Sequence, residues 1–169
     1  PNALHSEEKA ITAANENAKE TVDKLPIILI VEDNDDIRNY IATSFIDNYR
    51  TLTAKNGKEG WSMALKYIPD IIISDIMMPE KNGIELCKLI KEDMRTCHIP
   101  VILLTAKDSI LDKEEGYQSG ADSYLTKPFS AKLLSSRINN LLESRQKLAS
   151  LITNRAKEIM PQELVEQDI

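Results

Sequence analysis

Pro26-Ile27-Ile28-Leu29-Ile30-Val31-Glu32-Asp33-Asn34-Asp35-Asp36 is the stretch on which the fold turns. Five consecutive aliphatic residues, with no polar alternation, suit a parallel strand covered on both faces rather than a half-exposed one. The run ends abruptly in four acids and an asparagine. A buried strand that delivers carboxylates at its end is a structural signature and a chemical one together.

Downstream, similar runs recur at Arg50 to Ala54, Ile71 to Ser74, Val101 to Thr105 and Ser123 to Thr126. Amphipathic stretches separate them, at about Asp35 to Ile46, Lys58 to Tyr67, Gly83 to Asp93 and Ile110 to Ser119, and a last one starts after Ser130, a suitable N-cap. Five strands alternating with five helices predict an α/β fold: a doubly wound, five-stranded parallel sheet with helices on both faces. Ligands of such sheets bind beyond the carboxyl ends of the strands, where strand order reverses. Upstream, residues 1–25 are polar, with Ala10, Ile11, Ala14, Ala18 and Val22 at loosely helical spacing, and read as a linker or peripheral helix.

Glu32 and Asp33 follow the first strand and Asp75 follows the third, so a parallel sheet aims all three at one edge. Carboxylates that close repel one another and call for a cation. A hard divalent ion with oxygen ligands fits, magnesium better than calcium, because no loop matches the twelve-residue calcium pattern. The plainer reading of Asp33, Asn34, Asp35 and Asp36 is that they complement the dipole of the following helix. Thr105 ends the fourth strand and Lys127 follows the fifth, placing a hydroxyl and an ammonium at the same edge. Either alone is an ordinary surface group. Together with a carboxylate nucleophile and a cation they form the equipment for phosphoryl transfer to an aspartate.

Residues 26 to about 145 resemble the receiver domains of two-component response regulators. The likeness rests on Ile30-Val31-Glu32-Asp33-Asn34, Ser74-Asp75-Ile76-Met77-Met78-Pro79, Leu104-Thr105-Ala106, Gly120-Ala121-Asp122-Ser123-Tyr124 and Lys127-Pro128-Phe129, all in family order and spacing. It implies the flavodoxin-like strand order 2-1-3-4-5 and Asp75 as phosphoacceptor. Glu32, Asp33 and the backbone carbonyl of Met77 would join Asp75 around magnesium. Thr105 and Tyr124 would be the switch pair, Lys127 the contact to the phosphoryl oxygens, and the phosphodonor domain of a histidine kinase the partner. Two other classes share parts of the pattern. A flavodoxin-like flavin module needs a hydroxyl- and glycine-rich phosphate loop where this chain carries acids. An aspartyl-phosphate phosphatase needs Asp-x-Asp where this chain has Asp75-Ile76-Met77.

Composition narrows the setting. A net charge of −6 gives no general attraction to nucleic acid or anionic membranes, so direct contact with either is not expected of this segment. The longest apolar run, Pro26 to Val31, is far too short to span a bilayer. Cys87 and Cys97 lack Cys-x-x-Cys partners and read as reduced thiols, consistent with a cytoplasmic setting. Trp61, with Met63, Ala64, Leu65 and Ile68 around it, reads as a helix residue packed on the sheet.

The flanks, 1–25 and 146–169, resemble the surroundings of a receiver in a hybrid sensor kinase. The parent protein would be anchored in the inner membrane and could continue into an arabinose-regulator-type DNA-binding domain. A freestanding regulator cut before its output domain is the alternative. Leu134, Leu141 and Leu148 recur every seven residues, with Ile138, Ile152 and Ile159 on the companion row, which predicts that the last helix continues toward about Lys157, within a helical extension or linker over 146–169, as a stalk capable of weak homodimer formation; the plainer reading is an amphipathic helix end lying on its own domain. Arg145 and Arg155 interrupt that seam, and Pro161 is expected to end the helix.

Overall fold

The computed structural model describes residues 24–106, 114–115 and 117–166. The expected linker over 1–25 therefore lies almost wholly outside the described residues, and so does much of the helix expected at Ile110 to Ser119. Of that helix, Glu114, Glu115, Tyr117 and Gln118 are helical. The chain divides into two compact units, residues 1–127 and 128–169.

In the first unit, strands β1 (Ile27–Val31), β2 (Arg50–Ala54), β3 (Ile71–Asp75), β4 (Val101–Thr105) and β5 (Ser123–Thr126) form one sheet in the order β2-β1-β3-β4-β5. Every neighbouring pair is parallel. Strand alternation sorts the buried side chains into two layers. Leu29, Val31, Ile72, Val101 and Leu103 pack with Ala64, Leu86, Cys87 and Ile90 from α2 (Gly57–Tyr67) and α3 (Gly83–Glu92). Trp61 and Met63 lie partly buried against that cluster, as their spacing predicts. Ile28, Ile30, Ile71 and Ile73 face the other way, toward the side of α1 (Asp35–Phe45), which packs on β1 and β2 and buries Ile41 and Phe45. Cys87 is buried and Cys97 exposed, both as free thiols.

An asparagine starts each of these three helices. Asn34 accepts from the backbone N–H of Asp36 and Ile37, Asn56 from that of Glu59, and Asn82 from that of Glu85. Each bond satisfies amides that would otherwise lack a partner, a contribution of about 1 kcal/mol per cap. All three helices begin near the carboxyl edge of the sheet, so their N-termini and the strand ends share that edge. The order reversal between β1 and β3 lies there as well.

The second unit is carried by α4 (Ala131–Glu166), a helix of 36 residues and so about 54 Å long. Ser130 caps it, accepting from the Leu133 N–H at 3.1 Å. Leu134 and Ile138 are buried, whereas Leu148, Leu151, Ile152 and Ile159 are 60–65% exposed. The stop expected at Pro161 does not occur, because helical backbone continues to Glu166. A proline removes one N–H and crowds the preceding turn, yet the backbone stays helical across it.

Candidate functional site

Parallel pairing aligns the ends of all five strands along one edge. Val31 pairs with Ala54 on one side and Ser74 on the other, Asp75 with Leu104, and Thr105 with Thr126. Backbone bonds continue the ladder beyond the strands: Glu32 N–H to the Ala54 carbonyl at 3.0 Å, Ile76 N–H to Leu104 at 3.0 Å, and Lys127 N–H to Thr105 at 2.7 Å. The residues bearing functional groups are thus held by the sheet itself.

Carboxylate oxygens of Glu32, Asp33 and Asp75 lie within 4.8 Å of one another. Glu32 and Asp75 are 1% and 6% exposed, while Asp33 is open to solvent. Asp75 is the last residue of β3 rather than the first beyond it. The Lys127 ammonium stands 3.1 Å from Asp75 Oδ2 and 3.5 Å from Glu32 Oε2. At such distances and an effective dielectric near 20, each pair of unit charges interacts by about 3–5 kcal/mol. Three repulsive carboxylate pairs face two attractive contacts to Lys127, so one ammonium does not balance the cluster. The imbalance registers on Glu32, whose pKa is pushed up to about 7, first by burial and then by the charge of Asp75, with Lys127 opposing.

The donor set is all oxygen, without His or Cys, which suits a hard divalent cation. Glu32 Oε2 supports the fit: it is buried and no group among the described residues donates a hydrogen bond to it. Asp35 and Asp36, by contrast, lie in the first turn of α1. The acidic run therefore serves two purposes, with Glu32 and Asp33 at the cluster and the next two acids at the helix dipole.

Thr105 is buried, and among the described residues its hydroxyl makes a long 3.4 Å contact to the Ala106 carbonyl. Tyr124 pairs with Leu103 on β4, with its ring in the core and stacked on Tyr117 at 5.8 Å between centroids. Met77 follows β3 by two residues and its side chain is 69% exposed.

Two features escape a reading of motifs. Gly83 has a strict reason to be glycine: a Cβ there would lie 2.1 Å from the Asp75 carbonyl oxygen. Gly57 likewise leaves room for the Lys81 carbonyl, at 2.2 Å from its would-be Cβ, in a loop where Glu80 and Lys81 take positive φ values of 50° and 78°. Arg38 is the second feature, a buried cation whose Nη1 donates to the Glu32 carbonyl at 3.0 Å. Its signal in the sequence is a charge at the spacing of the buried residues Ile41 and Phe45.

The model of the response regulator receiver domain matches residues 28–139, and this chain belongs to that family. It is a receiver domain of two-component signalling, and the flavin-binding reading is not favoured. Histidine kinase P4 of Formosa agariphila is 47% identical over 137 residues, which cover 81% of this chain and 10% of that protein. The DNA-binding dual master transcriptional regulator RpaA of Synechocystis is 36% identical over 125 residues, 73% of this chain and 52% of that protein. The crystal structure of the signal receiver domain of a signal transduction histidine kinase from Syntrophus aciditrophicus superposes with a TM-score of 0.67 at 35% identity, covering 70% of this chain and 91% of that one. The chain thus spans a tenth of one curated relative and about half of the other. No helix among the described residues is long and apolar enough to cross a membrane.

Proposed function

We propose that Asp75 accepts a phosphoryl group from a phosphohistidine of a histidine kinase and that the domain changes its surface in response. One observation carries this reading: a carboxylate almost removed from solvent at the end of β3, with an ammonium 3.1 Å away and two more carboxylates beside it. In the transfer, an Asp75 oxygen forms the new O–P bond as the donor's P–N bond breaks, and the released electron pair returns to the leaving imidazole. Lys127 offsets charge on the phosphoryl oxygens. Glu32, Asp33, Asp75 and the Met77 carbonyl are the groups that would hold magnesium, which when bound neutralises further phosphoryl charge. The Thr105 hydroxyl, whose contact to the Ala106 carbonyl is long at 3.4 Å, would turn toward the phosphoryl group. Tyr124, on the adjacent strand, is the aromatic member of the proposed switch.

The receiver proper is taken as residues 26–145, with 1–25 as a linker or peripheral helix and 146–169 as a helical extension. The kinase match favours a hybrid kinase as the parent, since it is 47% identical over 137 residues against 36% over 125 for the transcriptional regulator. The proposed setting is cytoplasmic, with any inner-membrane anchor in the rest of the parent protein and no direct nucleic-acid or membrane contact by this segment. The exposed aliphatic row on α4 supports weak homodimer formation. Incubation with acetyl phosphate and magnesium, read by intact-mass spectrometry, tests the central claim. The parent chain is expected to gain one phosphoryl group and Asp75→Asn none; equal labelling of both overturns the assignment.

A further inference from the structure

Arg38 lies on the buried face of α1 with Ile41 and Phe45, where a charge is tolerated only when paired. Its guanidinium is forked between two acceptors. Nη1 donates to the Glu32 carbonyl at 3.0 Å, and Nη2 pairs with the Asp35 carboxylate. The Glu32 N–H is already tied to Ala54, and Asn34 is tied to the first turn of α1. The peptide joining Glu32 to Asp33 lies between those anchors, and its carbonyl is the group that Arg38 takes.

That peptide is planar, so holding its carbonyl holds the Cα atoms of both residues, and with the Glu32 N–H tied to Ala54 and Asn34 tied to α1 the torsions that aim their side chains are restricted. Those are two of the three clustered carboxylates. We propose that Arg38 is a positioning residue that holds the Glu32–Asp33 peptide so that both carboxylates face one cation. The inference rests on the reading of Glu32 and Asp33 as cation ligands. Arg38 itself touches neither cation nor phosphoryl group.

The sign of the effect separates positioning from bulk electrostatics. A nearby positive charge repels a cation, so on Coulombic grounds alone removing Arg38 would tighten magnesium binding. Loss of positioning would loosen it, because groups that orient metal ligands typically control affinity by about 10–100-fold. Titration of the chain with magnesium chloride, followed by calorimetry without any phosphodonor, reads this directly. Arg38→Met, which keeps the buried stem, is expected to raise the magnesium dissociation constant about ten-fold. Arg38→Lys is expected to raise it less, since a single ammonium lacks the planar fork.

Affinity in a folded variant equal to or tighter than that of the parent overturns the inference. Lowered thermal stability with unchanged affinity does the same and leaves Arg38 as a packing residue. Should Arg38→Met fail to fold, Arg38→Lys decides by the same criterion. A parent chain that binds no magnesium at millimolar concentration removes the cation reading and this inference together, whereas equal binding by parent and variants removes this inference alone.

Discussion

Strand β1 and the distal half of α4 are built from the same aliphatic residues and have opposite fates. Ile28, Leu29, Ile30 and Val31 are 0% exposed, whereas Leu148, Leu151 and Ile152 are 60–65% exposed. Burying such a side chain contributes about 1.5–3 kcal/mol. Four of them in β1 amount to roughly the whole net stability of a domain. The distal helix gains none of this among the described residues and rests on its own propensity and length. Hydrophobicity sets what burial is worth; the neighbours decide whether it happens. The carboxylates at the end of β1 therefore stand on a rigid platform, while α4 ends in a surface without cover among the described residues.

The largest expected contrast lies within α4 itself. Ile138→Ala should cost about 2–5 kcal/mol through the cavity it leaves, and Leu148→Ala should stay within about 0.5 kcal/mol. Urea unfolding of the two variants beside the parent measures both. Comparable losses would mean that the distal row is covered after all and would erase the contrast.

The platform also sets a pH dependence. Glu32 holds its proton up to about pH 7 in the folded chain, against an ordinary value of 4.5. Between these values the native state binds more protons than the unfolded state, so stability without metal falls as pH rises through that window. The change is on the order of 3 kcal/mol at most. Thermal unfolding in chelator from pH 5 to pH 8 should show the decline, and Glu32→Gln should lack that component. Magnesium needs the ionised carboxylate, so its affinity should weaken by up to about ten-fold per pH unit below 7.

The smallest expected effect concerns the uncovered helix. Arg145 and Arg155 interrupt the seam of Leu141, Leu148, Ile152 and Ile159, so self-association should be weak and most visible near millimolar protein. Sedimentation of the full chain with and without beryllofluoride, against a chain ending at Ser144, measures it. A full chain that stays monomeric and matches the truncated one in both states removes the homodimer proposal.

Most of the fold was legible because short-range physics writes it into the chain. Unbroken runs such as Ile27 to Val31 declare two-faced burial, and Ser130 stands where the last helix begins. The candidate cluster was legible as well, because parallel pairing leaves the ends of β1, β3, β4 and β5 no other place to meet. The sequence by itself thus determined the sheet, its edge and the residues gathered there. Tertiary structure alone decided what depends on distances between segments remote in sequence. It made Gly83 a requirement of the Asp75 carbonyl, raised Glu32 through burial beside Asp75, and separated the buried Ile138 from the exposed Leu148 on one heptad pattern. It also turned Arg38, an unremarked charge on an amphipathic helix, into the clamp on the Glu32 carbonyl. Periodicity says which face a residue occupies, but only the packed chain says what lies opposite it.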